Sequence, residues 1–254
     1  MTAQKLIAAL ALPESCRIDQ RVPKHMLIEN GAPTAADKRL LSDAISEVQW
    51  VAALKPNTVG VPIYRDEQRE YLEVSVLSVA TECTPARTIN HVRLAELVHR
   101  AVPYPVLLIL ETPNATLLSC AHKRWSQNEA SKVVLDGDVS TVDVPDDLGS
   151  DHPLACALDL VRQPQTNLLT LYQGWMDCLS ARRAALYTGS FRSADTPTQA
   201  AERRDALNTC QRLEQEIARL HVRAAKEKQM SRQIEINLAL QRINAELVSV
   251  REQL

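Results

Sequence analysis

The spacing of apolar residues divides the chain into two parts that differ in predicted secondary structure. Before about position 150, apolar residues form short runs and alternations, interrupted by two stretches with helical spacing. Beyond it they recur at intervals of three and four almost to the last residue. Alternation is typical of half-buried strands, and the three-four spacing is typical of helices. The pattern therefore predicts an α/β domain over residues 1–148 and a helical region over residues 149–254.

The first part is expected to form a small α/β domain on a mixed sheet, because helices and strands follow one another along it. Thr34 can cap its first long helix, with Asp37 three residues further on. Pro62 breaks the first predicted strand, which suits an edge position. In chain order, the predicted elements are helix 34–54, strands 58–64 and 71–79, helix 90–101, and strands 106–110, 115–125 and 132–144. A polar stretch over 145–153 is bounded by prolines and is expected to be a linker.

The clearest pattern lies in residues 200–254, where apolar residues alternate in steps of three and four, as at the a and d positions of a coiled coil. These residues form two sets: Leu213, Ile217, Leu220 and Ala224, then Ile236, Leu240, Ile243, Leu247, Val250 and Leu254. Lys226–Gln229 separates the sets, and the second set does not continue the phase of the first. The pattern fits a long helix with a stutter or a helical hairpin. The seam must pack within the chain, against a second copy, or against another protein.

Composition and charge exclude several classes of function. The formal net charge of −2 argues against a protein that coats nucleic acid through bulk charge, so only a local basic patch would bind DNA. Two patches are candidates: Lys123 and Arg124 in the first, and Lys226, Lys228 and Arg232 in the second. Because the second patch alternates with Glu227, a solvated helix face is the favoured interpretation.

Cofactors, metals and membranes are not expected from the sequence. Only six glycines are present, and no glycine-rich phosphate loop occurs. The histidines lack zinc-ligand spacing, and no apolar run is long enough to span a bilayer. The six cysteines are scattered without a CxxC pair, which indicates a reduced, cytoplasmic protein.

One class of enzyme, a metal-dependent nuclease, is an alternative to a non-enzymatic function. Nucleases of the PD-(D/E)xK type hold Mg²⁺ with an Asp and a second acidic residue, and a Lys two positions on orients the attacking water. Asp66 and Glu73 are the candidates here, but position 75 is Ser. The alternative is therefore a nuclease-derived DNA-handling domain without activity.

Three segments together resemble a known bacterial family, the domain-of-unknown-function family 4391. Residues 20–24, QRVPK, resemble its N-terminal "N-K-x-I-P-K" element, with Asp19 and Gln20 replacing the usual Asn-Lys pair. Residues 97–104, LVHRAVPY, resemble "I-D-x-A-I-P-Y" before an aliphatic strand, and residues 226–229, KEKQ, resemble its recurring "K-E-x-Q". The resemblance covers nearly the whole chain.

The resemblance implies an accessory role in DNA processing. Members of this family are often encoded beside helicases and DNA methyltransferases in restriction-like or anti-phage gene clusters. The resemblance therefore implies a non-catalytic scaffold subunit, and the hypothesis is that the apolar seam of the helical region docks a helicase or methyltransferase of the same gene cluster. Self-assembly with a second copy is the other partner expected, and DNA contact is secondary. The resemblance supplies no catalytic residues.

Overall fold

A computed structural model of the chain describes residues 2–82, 89–127, 129 and 132–254. The helices are α1 (Thr2–Ala9), α2 (Lys24–Gly31), α3 (Ala35–Ala44), α4 (Pro56–Val59), α5 (His91–Ala101), α6 (Pro153–Leu158), α7 (Leu168–Thr188), α8 (Pro197–Lys226) and α9 (Met230–Arg251). The strands are β1 (Arg17–Arg21), β2 (Ile45–Leu54), β3 (Tyr64–Arg65), β4 (Glu70–Tyr71), β5 (Val74–Thr81), β6 (Val106–Glu111), β7 (Thr116–Trp125) and β8 (Val133–Val144). No helix in these ranges is long and apolar enough to cross a membrane.

A six-stranded mixed sheet organises the first part of the chain, which confirms the predicted fold class there. Its strand order is β1-β2-β5-β6-β7-β8, and β3 and β4 form a separate two-stranded ribbon. β5 and β6 are parallel and are joined through α5, whereas the other neighbouring strands of the sheet are antiparallel. A parallel pair needs a crossover of this kind, because a tight turn cannot return the chain in the same direction.

Both faces of the sheet are buried at the central strands β5 and β6. On one face, Leu97 and Val98 of α5 share a buried cluster with Leu77 of β5 and Leu108 of β6. Elsewhere in the core, Tyr172 of α7 is fully buried, and its hydroxyl donates to the carbonyl oxygen of Val106 at 2.7 Å. Apolar side chains buried in this way each contribute about 1.5–3 kcal/mol, so they are the main source of stability for the sheet.

The predicted helix over 34–54 is half wrong. Thr34 does cap a helix, since its hydroxyl accepts a hydrogen bond from the Asp37 amide at 3.1 Å. The helix ends at Ala44, however, and residues 45–54 form β2. The strand predicted over 58–64 is also wrong, because α4 ends at Val59 and a four-residue loop, 60–63, precedes the short strand β3.

The chain separates into two compact units, residues 1–179 and residues 180–254, with the division inside α7. The boundary expected at residue 148 lies inside the first unit. Helices dominate the second half of the chain, as the spacing predicted. In the second unit, α8 and α9 are joined by a turn at residues 227–229 and run antiparallel, because Cys210 and Leu213 in the middle of α8 pack with Leu247 near the end of α9.

Candidate interaction surface

The apolar seam predicted from the sequence lies between α8 and α9. Cys210, Leu213 and Leu247 are its fully buried centre. The half-buried members packed against that centre are Ile217, Ile243, Val250 and Leu254. Ile236 and Leu240 are also buried, and Leu220 is half-buried. The seam residues therefore pack against each other within one chain.

Charged residues close the hairpin at its open end. The Glu214 carboxylate accepts from Arg251 Nη2 at 2.9 Å and from the Tyr187 hydroxyl at 3.1 Å. Arg251 also lies over the Tyr187 ring, 4.9 Å from its centroid. Burial, followed by the hydrogen bond to Glu214, raises the pKa of the Tyr187 hydroxyl, so this group stays protonated and continues to donate. These contacts hold the end of α9 against α8.

A second apolar face of α9 is exposed to solvent. Met230, Ile234, Leu238 and Val248 have relative exposures of 77%, 54%, 49% and 56%. Each residue of a helix is rotated by about 100° from the previous one, and this rotation puts these four side chains opposite the buried seam. We call this face the outer stripe. Exposed apolar residues that adjoin one another mark interaction sites more often than isolated ones do, and here the adjoining residues are Met230, Ile234 and Leu238.

The outer stripe has the spacing of a helix-docking face. Ile234, Leu238, Gln241, Ala245 and Val248 follow one another at intervals of four, three, four and three, and all five are exposed. This spacing keeps one face of a helix toward a partner helix over several turns. The same spacing was present in the sequence but was missed, because the seam accounted for the three-four periodicity of α9.

The two nuclease candidates have structural partners of their own. The Asp66 carboxylate accepts from the Tyr64 hydroxyl at 2.6 Å and from the amides of Gln68 and Arg69 at 2.8 and 2.6 Å. These hydrogen bonds, the one from Tyr64 foremost, lower the pKa of Asp66. The carboxylate therefore stabilises the turn between β3 and β4.

Glu73 is buried beside β5 and is neutralised by a lysine from a neighbouring strand end. Its carboxylate lies 2.9 Å from Lys55 Nζ, and its other oxygen accepts from the Ser75 hydroxyl at 3.1 Å. The hydrogen bond to Glu73 raises the pKa of Lys55. Within the described ranges, no group of three or more His, Cys, Asp or Glu side chains is arranged to hold a metal ion. Asp66 and Glu73 thus act in the local structure.

The basic candidates are split between buried and exposed positions. Lys123 is buried, and its ammonium donates to the carbonyl oxygens of His99, at 2.6 Å, and of Val102. Arg124 lies 3.5 Å from the Asp136 carboxylate. The second patch is exposed: Lys226 ends α8, Lys228 lies in the hairpin turn, and Arg232 lies in the first turn of α9. Lys123 therefore has no surface from which to contact phosphate.

Comparison with known proteins identifies the family. A family model described as "Domain of unknown function (DUF4391)" matches residues 10–247. The chain belongs to the DUF4391 family. No curated protein and no solved structure gives a significant match. In this DUF4391 protein, the three resembling segments fall at the β1–α2 connection, at the passage from α5 to β6, and at the turn between α8 and α9.

Proposed function

We propose that this DUF4391 protein is a non-catalytic scaffold subunit that docks a partner protein through the outer stripe of α9. The observation that carries the proposal is the exposure of Ile234 and Leu238 on the face opposite the seam. Burying these side chains against a partner helix would remove apolar area from water at a gain of about 25 cal/mol per Å². The seam residues pack within the hairpin, and α9 presents its other face to solvent.

The partner we propose is a helicase or DNA methyltransferase encoded in the same gene cluster, in the cytoplasm. This choice rests on the gene neighbourhood that the family resemblance implies, and the outer stripe supplies the surface. A scaffold role is favoured over a nuclease-derived role because Asp66 and Glu73 are both engaged in local hydrogen bonds or ion pairs. We also interpret α8 and α9 as an antiparallel coiled coil, since the seam residues of both helices follow the a and d spacing.

Charge placed on the outer stripe should abolish docking. The test is the double variant Ile234→Glu/Leu238→Glu, co-expressed with a tagged helicase or methyltransferase from the same cluster. Recovery of the variant with the tagged partner is expected to fall at least about tenfold, because a carboxylate is costly to bury in an apolar contact. Circular dichroism of the variant should match the wild type, since both residues are exposed.

The matched control is Gln233→Glu/Asn237→Glu, which adds the same charge at the same spacing on exposed positions one residue earlier. It should leave recovery unchanged. Equal recovery of the Ile234/Leu238 variant and the wild type would show that the outer stripe is not the docking surface. Light scattering tests whether the occupant is a second copy of this chain. If the wild type is a dimer, the Ile234/Leu238 variant is a monomer, and the wild type recovers neither the helicase nor the methyltransferase, then a second copy occupies the outer stripe.

A further inference from the structure

The second unit contains a polar cavity that the proposed docking function does not use. Its volume is about 300 Å³, and it lies among the end of α7, the loop that follows, the start of α8 and the end of α9. Three arginines, two hydroxyl residues and one carboxylate supply its charged and hydroxyl lining: Arg192, Arg203, Arg251, Thr188, Ser190 and Glu252. The cavity wall therefore carries three positive charges and one negative charge.

One arginine in the wall has an unused donor. Nη1 of Arg203 is buried and has no hydrogen-bond partner within the described residues. Leaving a buried donor unpaired costs about 1–3 kcal/mol, and more for a charged group. Native structures satisfy nearly all such groups, so a persistent exception calls for an explanation such as a bound ion. Arg203 also lines the cavity, so an anion bound there would meet its guanidinium.

The other two arginines differ in how firmly they are held. Arg251 is fixed by the Glu214 carboxylate at 2.9 Å and by the Tyr187 ring. Its guanidinium is therefore oriented before any ligand arrives, which reduces the entropy lost on binding. Arg192 lies in the exposed loop after α7 and also lines the cavity.

We propose that this cavity binds a phosphate group of a small ligand, such as inorganic phosphate, pyrophosphate or the phosphate chain of a nucleotide. The planar guanidinium presents paired donors that match phosphate oxygens, so arginines are preferred for this recognition. Counting Glu252 and the Glu214 carboxylate that pairs with Arg251, the three lining arginines leave a net side-chain charge of +1, which favours an anion such as a phosphate group. The volume is at the lower limit of ligand pockets, which suits a small phosphate ester.

The test is calorimetric titration of the full chain with inorganic phosphate, pyrophosphate and ATP in 150 mM salt. Wild type is expected to bind at least one of them. Arg203→Lys keeps the charge but loses the paired donors, and it should weaken binding about tenfold or more, the effect of one charge-assisted hydrogen bond. Arg192→Gln should weaken binding similarly. Because Arg192 is exposed in a loop, this variant keeps the test valid if Arg203→Lys fails to fold.

Arg212→Gln is the control, since Arg212 is an exposed arginine of α8 outside the cavity lining. It should bind like the wild type. Tightest binding of ATP would identify a nucleotide phosphate chain, and tightest binding of phosphate or pyrophosphate would identify the inorganic anion. Failure of the wild type to bind all three would overturn the proposal, as would unchanged affinity in both cavity variants or equal weakening in Arg212→Gln.

Discussion

At the scale of single residues, Lys123 shows how a charged side chain can serve the core. Its ammonium is buried at the end of α5, where it donates to the carbonyl oxygens of His99 and Val102. The last carbonyls of a helix have no partner within the helix, and basic side chains satisfy them well. Burial lowers the pKa of Lys123 to about 7. The side chain thus stabilises the junction between α5 and β6.

The lowered pKa makes stability depend on pH in a definite direction. Between about pH 7 and the ordinary lysine value of 10.5, the unfolded chain binds more protons than the folded chain at this site. Stability contributed by Lys123 therefore rises with pH across this window. We expect the urea midpoint of wild type, relative to Lys123→Met, to rise between pH 7 and pH 8.5. Parallel pH profiles of the two proteins would contradict the assignment.

The basic residues at 122–124 predicted a patch on the surface, but the side chain of Lys123 is buried in the core. The sequence does not show which of three adjacent polar residues faces the core, because β7 contains a register shift between Cys120 and His122 that alters the alternation. Two-residue periodicity beyond such a bulge cannot be extrapolated. Lys226, Lys228 and Arg232 lie around the turn between two helices, outside the apolar seam. At these positions the sequence pattern was enough to predict that the side chains are exposed.

At the scale of elements, caps were predictable and the helix-to-strand change was not. Asn90, the first residue of the predicted helix 90–101, caps α5 by accepting from the Arg93 amide at 3.0 Å. β2 has register shifts between Ile45 and Glu47 and between Trp50 and Ala52. These bulges place Ile45, Val48 and Val51 inward at intervals of three, so the strand imitates a helix.

The packing of α2 against α5 depends on one glycine. A Cβ atom at Gly31 would lie 2.5 Å from the Leu97 carbonyl oxygen and 2.8 Å from the Ala101 Cβ. Gly31→Ala should therefore destabilise the protein by about 1–3 kcal/mol. In an unobstructed helix the same change stabilises by about 0.4–1 kcal/mol. Urea denaturation measures the sign. Adding Ala101→Gly should recover part of the loss, and a stabilised Gly31→Ala protein would refute the close contact.

At the scale of the whole molecule, the two units differ in how much apolar surface they bury. Among the residues that the structure describes, the first unit contains a cluster of fifteen buried residues that includes α5 and four strands. The hairpin cluster of the second unit has only Cys210, Leu213 and Leu247 at its centre. Local stability follows buried apolar contact, so the hairpin should open at a lower free energy than the sheet.

Native-state hydrogen exchange can measure the opening free energies of the hairpin and of the sheet separately. We expect amides of α8 and α9 to exchange at lower urea concentrations than those of β5 and β6. Leu247→Ala removes a buried side chain at the hairpin centre and should cost about 2–5 kcal/mol of its local stability. Protection should fall in residues 197–251 and remain unchanged in β6. Equal loss of protection in β6 would mean that the units unfold together. In that case a substitution in the outer stripe that destabilises the hairpin would also destabilise the sheet. The stability of both units would then have to be measured for each outer-stripe variant.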